Sequence, residues 1–295
     1  MRNFKSDNFA ALYKDMLQEV IKNPDSKVAP RGEKTQELYN VVLELTNPLE
    51  NTFFNSVRAP SEKYLAGELI WYFSGRNDLA FIKKYSKFWS AIACENGTCN
   101  SAYGNLLFNE VNEYGFTEWA WALTALKKDK NTRQAIMRFN KPRFSYENNK
   151  DFVCTLAAQF IIRNNALHFT VIMRSNDLRF GIQYDVPFFT TLQQVMHKQL
   201  LSIYPDLQLG CYTHIVNSIH LYEKDIDEAK NSLESQFYST RLPTIETLLP
   251  VSGEGRPVQA YMDLSYGLID PAIQDTFYRW VAKAAGIFSD VQMVS

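Results

Sequence analysis

The chain has 295 residues, 46% of them hydrophobic and 21% charged, with a formal net charge of -1 at pH 7. That length buries a substantial core without disulfide or metal staples, and the composition is that of an ordinary globular protein rather than a disordered one. The near-neutral balance argues against a general nucleic-acid binder, which carries a basic excess, but leaves room for a local basic pocket.

The opening stretch MRNFKSDNFAALYKDML is charged and amphipathic, unlike a signal peptide, and Phe9, Leu12, Met16 and Val20 predict a helix over 7–22. APRGEKTQEL then reads as a loop entering an alternating strand, LYNVVLELT. PSEKYLAGELIWYFS, residues 60–74, starts with Pro and Ser and predicts a buried helix; 78–92 and 115–127 read as helical too. The middle turns β-rich through RQAIMRF, FVCTLAAQFIIR, ALHFTVIMRS and LGCYTHIVNSIHLY, with short turns such as RNNA. Helical spacing returns over 186–202, and VQAYMDLSY reads as a last strand. Without linker, repeat or low-complexity segment, the expectation is one α+β domain over 1–295, a large mixed sheet flanked by helices. No apolar run approaches a membrane span, and neither a dinucleotide-binding GxGxxG nor a P-loop is present.

The four cysteines, Cys94, Cys99, Cys154 and Cys211, show neither a CxxC pair nor zinc-like Cys/His spacing. They read as reduced thiols of a cytoplasmic protein, metal-free; Cys94 and Cys99 in CENGTC would pair only in an oxidising compartment. Cys154, where an apolar strand begins, would by itself be a small buried hydrophobe. Glu68 draws notice because it lies among Leu65, Leu69, Ile70 and Trp71, where burying a charge is costly; the plainer alternative is an edge position facing water. His220 and Tyr222 alternate onto one face of a strand.

FVCT, MRSNDLRFG and HIVNSIHLY, in that order, resemble the thymidylate synthase family, and most of all its deoxycytidylate 5-hydroxymethylase branch. The resemblance runs from about residue 30 to 222 and weakens beyond. It implies the family's α+β fold, a homodimer packed sheet face to sheet face, a pyrimidine nucleoside monophosphate substrate, and 5,10-methylenetetrahydrofolate as one-carbon donor. By residue match, Cys154 is the thiolate that adds to ring carbon 6, a task suited to a soft nucleophile, with its pKa lowered by nearby arginines. Arg31, Arg174 and Ser175 match phosphate- and sugar-side groups, and Arg133 matches an arginine lent across the dimer. Gln134 replaces the second such arginine. Guanidinium forks suit a phosphate dianion.

The same matching makes Glu68 the organiser of water and protons, Tyr103 the tyrosine near carbon 5, and His220 with Tyr222 the binders of the sugar 3′-hydroxyl. Asp177 and Trp89 match folate-side residues, while Ile92 stands where many relatives have a second tryptophan. Asp185 replaces the usual asparagine. A carboxylate accepts from cytosine's amino group but has no donor for the uracil carbonyl; Asp185 also suits the N-cap of the helix predicted to follow. The implied activity is transfer of the one-carbon unit to dCMP and addition of water, giving 5-hydroxymethyl-dCMP. Alternatives are CMP hydroxymethylase, dCMP methylase, dUMP-using thymidylate synthase and, more remotely, an inactive nucleotide- or RNA-binding member. No nucleic-acid or membrane partner is expected.

Overall fold

A computed structural model describes residues 2–287. They fall into two compact units, each assembled from separated stretches of chain: the chain up to Pro60 with Cys154–Gln193 and Asp206–Leu242, and Ser61–Val153 with Gln194–Pro205 and the chain from Pro243 on.

The first unit is built on a mixed sheet in the strand order Arg2–Ser6, Thr35–Leu45, Gln208–Tyr222, Ala166–Met173, Thr155–Arg163. The first and third of these pairings are parallel, the second and fourth antiparallel. This is the α+β arrangement with a large mixed sheet that the segment pattern predicts. The RNNA turn closes the 155–173 hairpin with both Asn164 and Asn165 at positive φ (50° and 58°), the left-handed pair of a two-residue turn that asparagine tolerates. The two-residue strand Asn176–Asp177 adds in parallel at the end of Gln208–Tyr222, setting Asn176 beside Ile219 and Asp177 beside His220. The helix Phe9–Lys22 is capped by Asn8, whose Oδ1 accepts from the Ala11 N–H at 2.9 Å. Its apolar stripe (Phe9, Leu12, Tyr13, Met16, Leu17, Val20) is buried, with Tyr13 stacked on Phe53 at 4.5 Å.

The second unit is mainly helical and centred on Glu62–Phe73, in which every residue from Leu65 to Phe73 is buried. The Ser61 hydroxyl caps it by accepting from the Tyr64 N–H at 3.2 Å. The helix Tyr103–Phe108 packs so closely that a Cβ on Gly104 would stand 1.8 Å from the Tyr72 carbonyl oxygen, so only glycine fits.

Four expectations need correction. VQAYMDLSY is not a strand: Gln259–Ser265 is a helix, because its buried residues, Tyr261, Leu264 and Ser265, follow helical spacing, with Tyr261 edge-on to Phe73 and Tyr278. The 78–92 segment is broken into the short helices Leu79–Ile82 and Phe88–Ile92, and RQAIMRF keeps only Ile136–Arg138 as strand. The long helix begins at Ile182 rather than 186, since the Tyr184 and Asp185 N–H groups already bond the Gly181 carbonyl. Pro187 therefore lies inside the helix and Asp185 in its first turn, where a carboxylate suits the helix dipole, instead of at the N-cap. All four cysteines are free thiols, and no helix among the described residues is long and apolar enough to cross a membrane.

Candidate active site

In the first unit, Cys154 is the last residue before Thr155–Arg163, and Arg174 follows the partner strand Ala166–Met173. The hairpin thus ends with the two side by side: the Arg174 N–H donates to the Cys154 carbonyl at 2.9 Å and Nη2 lies 3.5 Å from the Cys154 Sγ. A guanidinium beside a partly exposed sulfur carries the charge that favours a thiolate over a thiol. The contrast is Cys99, whose buried thiol is pushed up to about 12, and burial also raises Cys211.

Ser175 follows Arg174, partly exposed. His220 and Tyr222, on the same face of Gln208–Tyr222, meet edge to face with ring centroids 5.2 Å apart. Arg31 is exposed on the Pro30–Gly32 turn at φ 55°, a conformation that costs a non-glycine residue strain. Its charge reaches the Tyr222 hydroxyl, and that of Arg174 reaches the His220 ring. Burial raises the Asp177 carboxyl and lowers the His220 imidazole, with each one's charge opposing the other's shift, so both lean toward neutral forms. Asp177 also accepts the Arg179 N–H at 2.7 Å, and Arg179 is itself anchored to Asp225 and Glu228.

Asp185 meets the amide of Asn176, whose Nδ2 lies 3.1 Å from Asp185 Oδ2. Asn176 in turn faces His214 Nε2 at 3.1 Å, and His214 Nδ1 is 2.6 Å from the Tyr212 hydroxyl. None of these three supporting residues stands out from sequence. For Tyr212 and His214 the one signal is their inward period-two alternation with Val216 along the strand, which predicts burial without revealing which polar group His214 meets.

In the second unit, Glu68 is buried with 6% exposure. Its Oε1 accepts from the Tyr64 hydroxyl at 2.7 Å and the Tyr72 hydroxyl at 3.2 Å. Burial, opposed by these two bonds, pushes the carboxyl up to about 7, the range of a general acid or base at neutral pH. The Trp89 indole N–H donates to the Tyr64 hydroxyl at 3.1 Å, and Tyr103 stacks on Tyr72 with centroids 5.4 Å apart. Glu68, Trp89 and Tyr103, candidates from three separate segments, therefore share one cluster, joined through Tyr64 and Tyr72. Those two tyrosines went unnoticed in sequence, although their i-4 and i+4 spacing from Glu68 was there to be read. Arg133 is exposed on the loop after the helix Glu118–Lys128. Among the described residues no group of His, Cys, Asp and Glu is arranged to hold a metal ion.

The thymidylate synthase family model matches residues 11–251. Among characterised relatives, the deoxyuridylate hydroxymethyltransferase of Bacillus phage SP01 is 29% identical over 256 residues, covering 83% of this chain and 65% of that protein. The deoxycytidylate 5-hydroxymethyltransferase of Enterobacteria phage T4 is 28% identical over 222 residues, 70% of this chain and 82% of that one. The chain thus spans just under two thirds of the phage SP01 relative. In three dimensions it is similar to the thermostable thymidylate synthase A from Bacillus subtilis, with a TM-score of 0.64 at 20% identity over 87% of this chain and 91% of that one, a likeness of fold. A family match over most of the chain, joined to that fold, makes this chain a member of the thymidylate synthase family.

Proposed function

We propose that this chain is a deoxycytidylate 5-hydroxymethyltransferase, one catalytic domain over 1–295 that transfers the one-carbon unit of 5,10-methylenetetrahydrofolate to dCMP and completes the reaction with water. The observation that carries the choice of base is Asp185: Asn176 donates to its carboxylate, which keeps it a hydrogen-bond acceptor. An acceptor matches the amino group of cytosine, whereas the uracil carbonyl would face it with no donor, a mismatch of about 1–3 kcal/mol.

The bound folate supplies carbon at the formaldehyde oxidation level. Asp177 would hold it by accepting from the pterin's N–H groups, and Trp89 would offer an aromatic wall, side chains whose chemistry fits a pterin. The chain's own chemistry begins with the Cys154 thiolate, favoured by Arg174, adding to ring carbon 6 so that carbon 5 becomes nucleophilic. Arg31, Arg174 and Ser175 hold the phosphate side, with Arg133 reaching from a second protomer, and His220 with Tyr222 holds the sugar hydroxyl. Carbon 5 would bond to the transferred carbon, and Tyr103 assists removal of the carbon 5 proton, whose bonding electrons expel the tetrahydrofolate amine and leave an exocyclic methylene on the ring. Glu68, poised near neutrality, takes the proton from the water that adds to the exocyclic carbon; the Cys154 thiolate is then released as the ring's double bond returns. The homodimer is read as forming through the sheet, on which Tyr39 and Ile172 are exposed, and the chain as acting in the cytoplasm.

The phage SP01 relative favours a second reading, the same ending with a uracil base. One series separates them: purified protein with methylenetetrahydrofolate and each of dCMP, CMP and dUMP, products read by mass spectrometry. A hydroxymethyl product from dCMP alone is expected. The same product from dUMP makes the base wrong, and a methyl product with dihydrofolate makes the ending wrong.

A further inference from the structure

We propose that Asn176, held from behind by His214, is a positioning residue that sets which atom of residue 185 meets the base, and so fixes cytosine over uracil. The inference rests on the reading of Asp185 given above.

The Asn176 side chain is buried, at 3% exposure. Its Nδ2 carries two hydrogens and faces three acceptors: Asp185 Oδ2 at 3.1 Å, His214 Nε2 at 3.1 Å and Met173 Sδ at 3.2 Å. A carboxylate and an imidazole nitrogen are stronger acceptors than a thioether, so they take both hydrogens. The reverse amide orientation would set oxygen against the carboxylate. With His214 Nε2 accepting, its proton sits on Nδ1 and is donated to the Tyr212 hydroxyl at 2.6 Å. Burial holds the His214 ring down to about 3, so it stays neutral at working pH and the direction of donation does not reverse.

Residue 185 is thereby offered a donor by Asn176. An aspartate answers with Oδ2 and turns Oδ1 away from Asn176, presenting an acceptor on its far side. An asparagine would answer with its carbonyl and present its NH2 there, a donor. The Asn176 amide is thus what converts the difference between Asp and Asn into opposite hydrogen-bonding at the base. The Asn176 Oδ1 end supports a dedicated role: it is buried without a hydrogen-bond partner among the described residues, a cost a merely structural asparagine has no reason to bear. Gly181 keeps that space open, since a Cβ there would lie 2.0 Å from the Asn176 Oδ1.

The test is calorimetric binding of dCMP and dUMP to the full chain and to Asp185→Asn, Asn176→Ala, His214→Leu and His214→Gln, with thermal midpoints as a fold check. Asn176→Ala and His214→Leu are expected to lose about tenfold of the dCMP-over-dUMP preference, and His214→Gln, whose amide oxygen accepts from Asn176, to retain most of it. A folded Asn176→Ala with the wild-type ratio overturns the proposal. If that variant does not fold, equal ratios in His214→Leu and His214→Gln overturn it. Asp185→Asn separates the two layers: if it leaves the ratio unchanged, the base reading falls and this inference with it. If it inverts the ratio while Asn176→Ala and His214→Leu do not move it, only this inference falls.

Discussion

Replacing Glu68 with glutamine is expected to stabilise the chain above neutral pH while removing its turnover. The Glu68 carboxyl is buried, and burial, only partly offset by the Tyr64 and Tyr72 hydroxyls, raises it from 4.5 to about 7. Between these values the folded chain keeps a proton that the unfolded chain has released, so stability falls as pH rises through that window and levels off above it. At about 1.4 kcal/mol per pH unit, the gap from 4.5 to about 7 amounts to about 3 kcal/mol. Glutamine is neutral throughout and lacks this slope. The assay is urea unfolding of both proteins at steps from about pH 4.5 to 8, taken as the difference between the two curves. His214 contributes an opposite slope to both, which cancels in the difference. The variant should gain about 3 kcal/mol over the parent across the window, while forming no product because nothing accepts the water proton. Parallel curves would refute the reasoning, since they would mean that the Glu68 charge is paid for elsewhere in the fold.

Cys154→Ser should abolish product formation yet leave dCMP binding within about a factor of a few, because a hydroxyl is a poor nucleophile for ring carbon 6; normal turnover in single-turnover assays would rule out the thiolate step. Asp185→Asn should shift kcat/KM toward dUMP by about tenfold or more, the size of one buried polar mismatch. His214 should give an acid limb to stability: its lowered pKa means full stability above 6.5, lost as pH falls toward about 3, at up to about 1.4 kcal/mol per pH unit. His214→Leu should flatten that limb in urea titrations between about pH 4 and 6.5. Gly104→Ala drives a methyl to 1.8 Å from the Tyr72 carbonyl oxygen and should cost about 1–3 kcal/mol or more, read as a drop in thermal midpoint together with loss of activity as the Tyr72–Tyr103 stack is displaced.

Sequence alone reached what local pattern and motif chemistry encode. The helix Phe9–Lys22 followed from its apolar spacing, the 155–173 hairpin from alternation around RNNA, and membership of the family from blocks whose order matches it. It failed where a short apolar run fits both periods, as in VQAYMDLSY, because only the partners of Tyr261 decide between strand and helix. It also began the long helix too late, at 186, where the Gly181 carbonyl already accepts from the Tyr184 and Asp185 N–H groups of its first turn. What only the tertiary structure decided is which polar groups share a buried space. The hairpin's two ends bring Arg174 to the Cys154 sulfur, packing around its helix buries Glu68, and the Tyr212–His214–Asn176 chain ends on Asp185. Each of these depends on residues far apart in the chain, or on the burial that raises Glu68 and neutralises His214. Local pattern specifies the elements and the family; desolvation and long-range pairing set the protonation and direction of the buried polar groups.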